Sequence, residues 1–444
     1  MINYLFFFSL ITCLLQGSVN FNYESKYGDG SNVNDFTQDT TSYNYFENLL
    51  DINFNYNNFY VYTQLEYSNP PIYGYDKVKV GDLANSYFVE YSNSSSSLIF
   101  KWGHLQSLYG YGLNINMFQD QTTDFDNRVK GVELKYSPND IADLFFISGK
   151  GTYGVKSSGS LRTNNLFFDH RLDAYGVQLY TDFGDLSISS SNKITYYIGD
   201  GFGGLYDKIS SGDTRIATDF NEYLFKDWSL SDSLMNSDSQ VESNGINFSY
   251  SKALGNLDIY IEKQYNAYNR ILREDDDENG SLTYFSLSGD LLGLNLLYEY
   301  KDYNMLYYMP IISNPPLVFG ETTSVLISRI QHNINFADEI GHQLEARFNL
   351  NDFSFLINLS LGRRHGGLGY ETEIFNEELD STIVIYVPYT PPSFLDILAD
   401  MDFLNKDFRL YKPFRDFYVE TNGWMMNNSF YYKLGYLSHY SYDD

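Results

Sequence analysis

Residues Leu291–Lys301 read LLGLNLLYEYK, and residues Phe353–Gly362 read FSFLINLSLG. In the first stretch Leu292, Leu294, Leu296, Tyr298 and Tyr300 fall on one side, and Gly293, Asn295, Leu297, Glu299 and Lys301 on the other. In the second, Phe353, Phe355, Ile357, Leu359 and Leu361 oppose Ser354, Leu356, Asn358, Ser360 and Gly362. Successive side chains of a strand point to opposite faces, so this period of two predicts strands with one apolar and one wetter face. Ile340–Leu350 alternates less cleanly, setting Leu344, Ala346, Phe348 and Leu350 against Gln343, Glu345, Arg347 and Asn349.

The same device recurs from residue 40 onward: a strand of about ten residues, a tight turn, a second strand and a long polar loop. The turns fall at Asn57–Asn58, Pro138–Asp140, Gly184–Asp185, Leu254–Asn256, Gly289–Asp290 and Asn351–Asp352, with weaker ones at Asn93–Ser96 and Met426–Asn428. Asn and Gly accept the positive φ of tight hairpins. The flanking strands are predicted at 43–56, 59–68, 128–137, 141–149, 172–183, 186–197, 244–252, 257–265, 282–288, 291–301, 340–350, 353–363 and 429–440. Long, often acidic loops fill 69–83, 105–126, 150–171, 198–243, 266–281, 302–323 and 364–414.

Short turns alternating with long loops predict an all-β fold, an antiparallel transmembrane β-barrel with turns in the periplasm and loops outside. A soluble β-sandwich also alternates, but rarely segregates its connection lengths in this way. An extra strand at Asn20–Tyr27 brings the count to about 17, within an expected 16–18. Single-chain bacterial barrels close with an even number, so the expectation is a chain truncated at its C-terminus, which also lacks a terminal aromatic residue.

Composition agrees with this reading. The 444 residues include 43 Tyr and 34 Phe against 10 Pro, types suited to half-buried strands with wet edges. A net charge of -28 argues against nucleic-acid binding through a basic face. Leu5–Leu15 (LFFFSLITCLL) is an apolar run of signal-peptide length, followed by Gly17 and Ser18; only the α-amino group supplies positive charge before it. The predicted organisation is therefore a signal peptide at 1–18 and a barrel at 19–444. The single Cys13 lies in that run, so the mature chain has no disulfide framework; a lipoprotein signal ending at Cys13 is the rival reading. No later run approaches the length of a spanning helix.

Residues 100–137 read FKWGHLQSLYGYGLNINMFQDQTTDFDNRVKGVELKYS. Gly103, Gly110, Gly112, Leu113, Asp120, Asp126, Asn127, Gly131 and Val132 resemble the pattern of an uncharacterised, Bacteroidota-type outer-membrane barrel family of unknown function. Asn335–Gly341 and Phe414–Glu420 are also similar to it, while Tyr111 stands where a basic residue is common. The resemblance implies location and fold, not chemistry, and implies further strands beyond Asp444.

Catalytic signals are weak. None of the six His has metal-site spacing. Gly149-x-Gly151-x-x-Gly154 follows a strand but opens no helix, so it is not a dinucleotide fingerprint. The acidic run Glu274–Glu278 offers oxygen ligands for Ca²⁺ but lacks EF-hand order, and reads best as a solvated loop. Ser393–Leu404 has the pattern of a short amphipathic helix. Gly110 and Gly112, read as lying on one strand face, mark a bend or the seat of an inward-folded loop. With Glu299, Glu345 and Arg347 they are the candidate lumen or constriction residues; Arg363 and Arg364 are candidate contacts to lipopolysaccharide or the pore mouth. The expectation is a non-enzymatic, porin-like channel, passive or gated, for small polar solutes, without a cofactor. Its expected partners are outer-membrane lipid, lipopolysaccharide and, during insertion, the barrel assembly machinery. The alternative is a surface barrel that binds a partner through acidic loops.

Overall fold

The computed structural model describes residues 17–33, 40–67, 84–93, 95, 97–120, 125–156, 165–196, 240–270, 279–305, 338–350, 352–363, 370–376, 381–387, 414–425 and 430–441. The signal-peptide run, Cys13, Glu274–Glu278, Ser393–Leu404 and Arg364 therefore lie outside the described residues. Among the described residues the structure is all-β, with seventeen strands in one large antiparallel sheet.

Two compact units divide the chain. The first comprises Met1–Ser249, Gln264–Asn279 and Tyr307–Pro315; the second comprises Tyr250–Lys263, Gly280–Leu306 and Pro316–Asp444. In the first unit β1 (Ser18–Val33), β2 (Thr40–Tyr56), β3 (Phe59–Glu66), β4 (Ala84–Ser92) and β5 (Leu98–Leu105) pair in sequence. Four short strands follow: β6 (Ser107–Tyr109), β7 (Ile115–Met117), β8 (Gln119–Asp120) and β9 (Phe125–Asp126). The meander resumes as β10 (Val129–Asn139) pairs with β5, then continues through β11 (Ala142–Lys156), β12 (Asn165–Thr181) and β13 (Gly184–Tyr196). Strands β14 (Gln240–Leu254) and β15 (Leu257–Arg270) also belong to the large sheet. In the second unit β16 (Asn279–Leu291), β17 (Leu294–Asn304), β18 (Asp338–Leu350) and β19 (Phe353–Arg363) form a second run of antiparallel neighbours. A separate hairpin, β20 (Tyr370–Asn376) with β21 (Ser381–Val387), precedes β22 (Phe414–Met425), which pairs with β19 and with β23 (Phe430–Ser441).

The strand positions follow the alternation, but their lengths and some turns do not. β12 begins at Asn165, so it extends well into the stretch 150–171 expected to be loop. The turn expected at Gly289–Asp290 lies at Leu292–Gly293: Gly289 and Asp290 pair with Leu296 and Asn295. Both turn residues have positive φ, 57° and 83°, the requirement of a tight hairpin loop, and the Asp290 carboxylate accepts the Gly293 N–H at 3.0 Å. Likewise the turn assigned to Gly184–Asp185 is made by Asp182–Phe183, because Gly184 pairs with Thr181. The β20–β21 hairpin occupies part of a segment read as loop. Gly149, Gly151 and Gly154 all lie within β11, which gives the nucleotide-fingerprint spacing a strand setting.

The two faces of the sheet differ in an unusual sense. In β13, Leu186 and Ile188 are 45% and 47% exposed, whereas Ser187, Ser189, Ser191, Lys193 and Thr195 are covered. β14 repeats this, with Ile246 and Phe248 exposed and Ser243, Asn247 and Ser249 covered. In the second unit, Leu344 and Ile357 are exposed while Gln343, Asn358 and Ser360 are covered. A soluble sheet buries its apolar face; here that face is the one turned out.

One glycine row shapes the first unit. Gly103 of β5 pairs with Gly131 of β10, which pairs with Gly149 of β11. Gly103 has φ +124°, and a Cβ on Gly131 would lie 1.9 Å from the Ser148 carbonyl oxygen. Only glycine permits that approach of neighbouring backbones. Gly131→Ala is expected to destabilise the folded state by about 1–3 kcal/mol through overpacking. A urea titration in detergent micelles, read as the folded fraction on a gel, checks this; an unchanged midpoint would contradict the close approach.

Candidate functional site

Between β5 and β10, the described residues 106–120 and 125–128 form a folded segment seated on the covered face of β11–β13. Its first part is a small hairpin in which Ser107 pairs with Met117 and Tyr109 with Ile115. Gly110 and Gly112 sit in the turn of that hairpin with φ +65° and +90°. They are not on a strand face as the alternation suggested, because β6 ends at Tyr109. The positive φ at both positions is the reason glycine is needed there.

Apolar contacts hold the segment down. Leu113, Ile115 and Met117 are fully covered. Tyr109, Ile115 and Met117 form one apolar cluster with Phe145 and Ile147 of β11 and Leu172 and Ala174 of β12. Tyr109 stacks on Phe145 with ring centroids 3.7 Å apart. Its hydroxyl donates to Glu133 at 2.9 Å, and the Ser107 hydroxyl donates to the other carboxylate oxygen at 2.7 Å. Burial, then the Glu133 carboxylate, pushes the Tyr109 phenol well up, so it stays a proton donor.

The base of the segment is stapled by two adjacent residues. Asn127 accepts the Phe118 N–H at 2.8 Å and donates to the Asn116 carbonyl at 2.6 Å. Asp126 takes two hydrogen bonds from the covered Arg128 guanidinium, both at 2.9 Å, while Arg128 also donates to Ser86 at 2.8 Å. Such a two-pronged pair fixes direction as well as distance.

The tip is held by Asn114, which is itself fully covered. Its amide nitrogen donates to Ser189 Oγ at 2.9 Å. Its amide oxygen accepts from Ser191 Oγ at 2.7 Å and from Lys193 Nζ at 2.8 Å. One side chain thus engages three successive positions on the covered face of β13.

The other sequence-derived candidates lie in the second unit. Glu299 accepts a hydrogen bond from the Tyr284 hydroxyl. Arg347 Nε donates to Glu345 at 2.6 Å, and Asn358 also reaches Glu345, at 3.4 Å. Glu299 pairs in register with Gln343, so Glu299, Glu345 and Arg347 share one face of β17–β18. Beside them Lys301 and Glu339, both fully covered, form an ion pair at 3.3 Å. Arg363 ends β19 and is mostly covered. Asn114, Glu133, Arg128 and Lys193 were not among the sequence candidates. The alternation Ser187, Ser189, Ser191, Lys193, Thr195 opposite Leu186 and Ile188 was the available signal for the receiving face.

Residues 4–169 match a family described as of unknown function, DUF6029. That span contains the folded segment, β10 and β11. A comparison with curated proteins gives no match. Among solved structures, the chain is similar to OccK3 (OpdO) of Pseudomonas aeruginosa at 10% identity and a TM-score of 0.45, covering 98% of this chain and 94% of that one. It is similar to the outer membrane protein OpdK of the same organism at 8% identity and a TM-score of 0.43, covering 96% and 94%. For a BenF-like porin from Pseudomonas fluorescens Pf-5 the values are 9% and 0.40, covering 97% and 95%. The likeness is one of strand architecture, and no residue role passes from these proteins to this chain.

Asn114→Ala removes three hydrogen bonds at the tip and leaves covered hydroxyl and ammonium groups to find other partners, a cost of about 1–3 kcal/mol for each group left bare. Hydrogen exchange should show faster exchange of the backbone amides at 107–117, with the β11–β12 amides unchanged. Unchanged protection at 107–117 would mean the apolar contacts alone seat the segment.

Proposed function

We propose that the chain is a porin-like outer-membrane β-barrel whose lumen passes small polar solutes and is narrowed by residues 106–128. One observation carries this reading: the apolar side of the strands is the exposed side, and the hydroxyl, amide and charged side chains are on the covered side. Hydrocarbon accepts the first face and offers nothing to the second, while an aqueous interior reverses both preferences. Closure of the sheet into a cylinder belongs to this proposal; only a closed sheet satisfies every strand edge within lipid. A sheet of seventeen strands, once closed, is in the range that leaves an aqueous channel.

The topology supports the same reading. Two-residue turns such as Leu292–Gly293 occupy one end of the strand pairs, and the longer connections, including 106–128, occupy the other. In an outer-membrane barrel the first end faces the periplasm and the second faces outward. A segment that starts from the outward end and packs on the wet face narrows the lumen from within. Export by the segment at 1–18, insertion by the barrel assembly machinery and a place for Arg363 and Arg364 at the pore mouth or against lipopolysaccharide complete the proposal, the covered Arg363 favouring the pore mouth. A Gram-negative, Bacteroidota-type source is supported by the residues that carry the family resemblance.

Two measurements test it. Purified full-length chain added to planar lipid bilayers is expected to give discrete single-channel currents in potassium chloride, and a protein that inserts but passes no ion sinks the channel. Separately, Phe146→Arg places a charge on the exposed face of β11. In lipid vesicles this is expected to cost up to about 2–4 kcal/mol by urea unfolding, according to depth. A soluble sheet would tolerate a charge at an exposed position to within about 0.5 kcal/mol, which would defeat the membrane assignment.

A further inference from the structure

Lys193 is completely covered, and among the described residues no carboxylate lies within ion-pair distance of it. Its hydrogen bond is to a neutral acceptor, Asn114 Oδ1 at 2.8 Å. Covering an ammonium without an opposite charge is costly, and its three N–H donors call for more than one acceptor. Other covered cations are treated differently: Arg128 meets Asp126 at 2.9 Å and Lys301 meets Glu339 at 3.3 Å. Two residues along the same face, the Thr195 hydroxyl is also fully covered, without a hydrogen-bond partner among the described residues.

We propose that Ser189, Ser191, Lys193 and Thr195 form a binding row for small anions, carboxylates in particular, in which the Asn114 amide oxygen occupies the place of an anion oxygen. The geometry already shows the grip. A single oxygen receives the Ser191 hydroxyl at 2.7 Å and the Lys193 ammonium at 2.8 Å. A carboxylate oxygen accepts the same two donors, and adds the negative charge that the amide lacks. The second carboxylate oxygen then has Ser189 or Thr195 within one strand repeat on either side, since alternate residues of a strand lie about 6.5–7 Å apart. Exchange requires only that the tip at 110–114 lift, and its two positive-φ glycines, Gly110 and Gly112, sit in that turn. A solute anion thus displaces Asn114 and is displaced by it. The row favours anions locally in a chain whose overall charge is -28.

This inference deepens the channel reading and rests on it. The test is the reversal potential of the full-length chain in planar bilayers, first in a potassium chloride gradient and then in potassium acetate. Lys193→Gln keeps a hydrogen-bonding group toward Asn114 and removes the charge; it is expected to lower the anion-to-cation permeability ratio about tenfold. Asn114→Ala leaves the cation in place and removes its competitor, and is expected to raise the ratio in acetate. Insertion of both variants is followed by heat-modifiable gel migration. Should Lys193→Gln not insert, Asn114→Ala decides alone, and an unchanged or lowered ratio overturns the proposal. Normal current with an unchanged ratio in Lys193→Gln overturns the anion row while leaving the channel intact. Absence of current in the parent chain removes the channel reading, and the anion row with it.

Discussion

The described strands of the large sheet set an apolar face opposite a polar one, and each face needs its own surroundings. The backbone ladders use up the N–H and C=O groups within the sheet, so what remains to be matched is the side chains. On β13 the match is made residue by residue. Leu186 and Ile188 go to the open side, and Ser187, Ser189, Ser191, Lys193 and Thr195 to the covered one. An ordinary soluble protein cannot use this arrangement, because it would expose apolar area and cover hydroxyls with no gain. On the membrane reading proposed above, with hydrocarbon against the exposed face and water or folded chain against the covered one, both faces are where transfer energetics place them.

The folded segment depends on that inversion. A polar inner face alone would hold water rather than a peptide segment. The described part of the segment finds purchase because β11 and β12 interrupt their polar face with Phe145, Ile147, Leu172 and Ala174, which meet Tyr109, Ile115 and Met117. At about 25 cal/mol per Å² of apolar area, such a cluster supplies the adhesion, while the hydrogen bonds of Asn114, Asn127 and Glu133 supply the register. The glycine row Gly103–Gly131–Gly149 lies directly below the points where the segment leaves β5 and joins β10, and brings their backbones close. Several residues that carry the family resemblance, Gly103, Gly110, Gly112, Asp126, Asn127 and Gly131, have one physical use: they bend, turn or staple this segment.

The strands were legible in the sequence because their physics is local. Phe353, Phe355 and Ile357 against Ser354, Asn358 and Ser360 can be read from ten residues, and the register of β18 with β19 agrees with it. Turn positions were less legible. Gly289–Asp290 looks like the better turn chemistry, yet pairing of Leu291 with Leu294 leaves Leu292–Gly293 as the loop. A leucine with positive φ is a local expense that only the register of the whole hairpin justifies. The inward segment was legible only as a glycine-rich patch. Asn114 meets Ser189, Ser191 and Lys193 across separations of 75, 77 and 79 residues, which no local pattern encodes.

Net charge misleads about the wet face for a related reason. An excess of acid suggests a path lined by free carboxylates. Instead, the described carboxylates on covered or partly covered faces are widely engaged by neutral donors: Asp51 by Tyr62 and Gln64, both at 2.9 Å, Glu133 by Ser107 and Tyr109, and Glu299 by Tyr284. A carboxylate that accepts hydrogen bonds from hydroxyls spreads its charge into those bonds and presents less of it to a nearby ion. Tyrosine thus serves the covered side of the sheet, where Tyr62, Tyr109 and Tyr284 each donate to a carboxylate. Against that background a single covered ammonium weighs more than the sum of formal charges suggests. Coulomb interactions between exposed charges are screened within about 8–10 Å at ordinary salt, so on the anion-row proposal the charge that counts beside Asn114 is that of Lys193, 2.8 Å away.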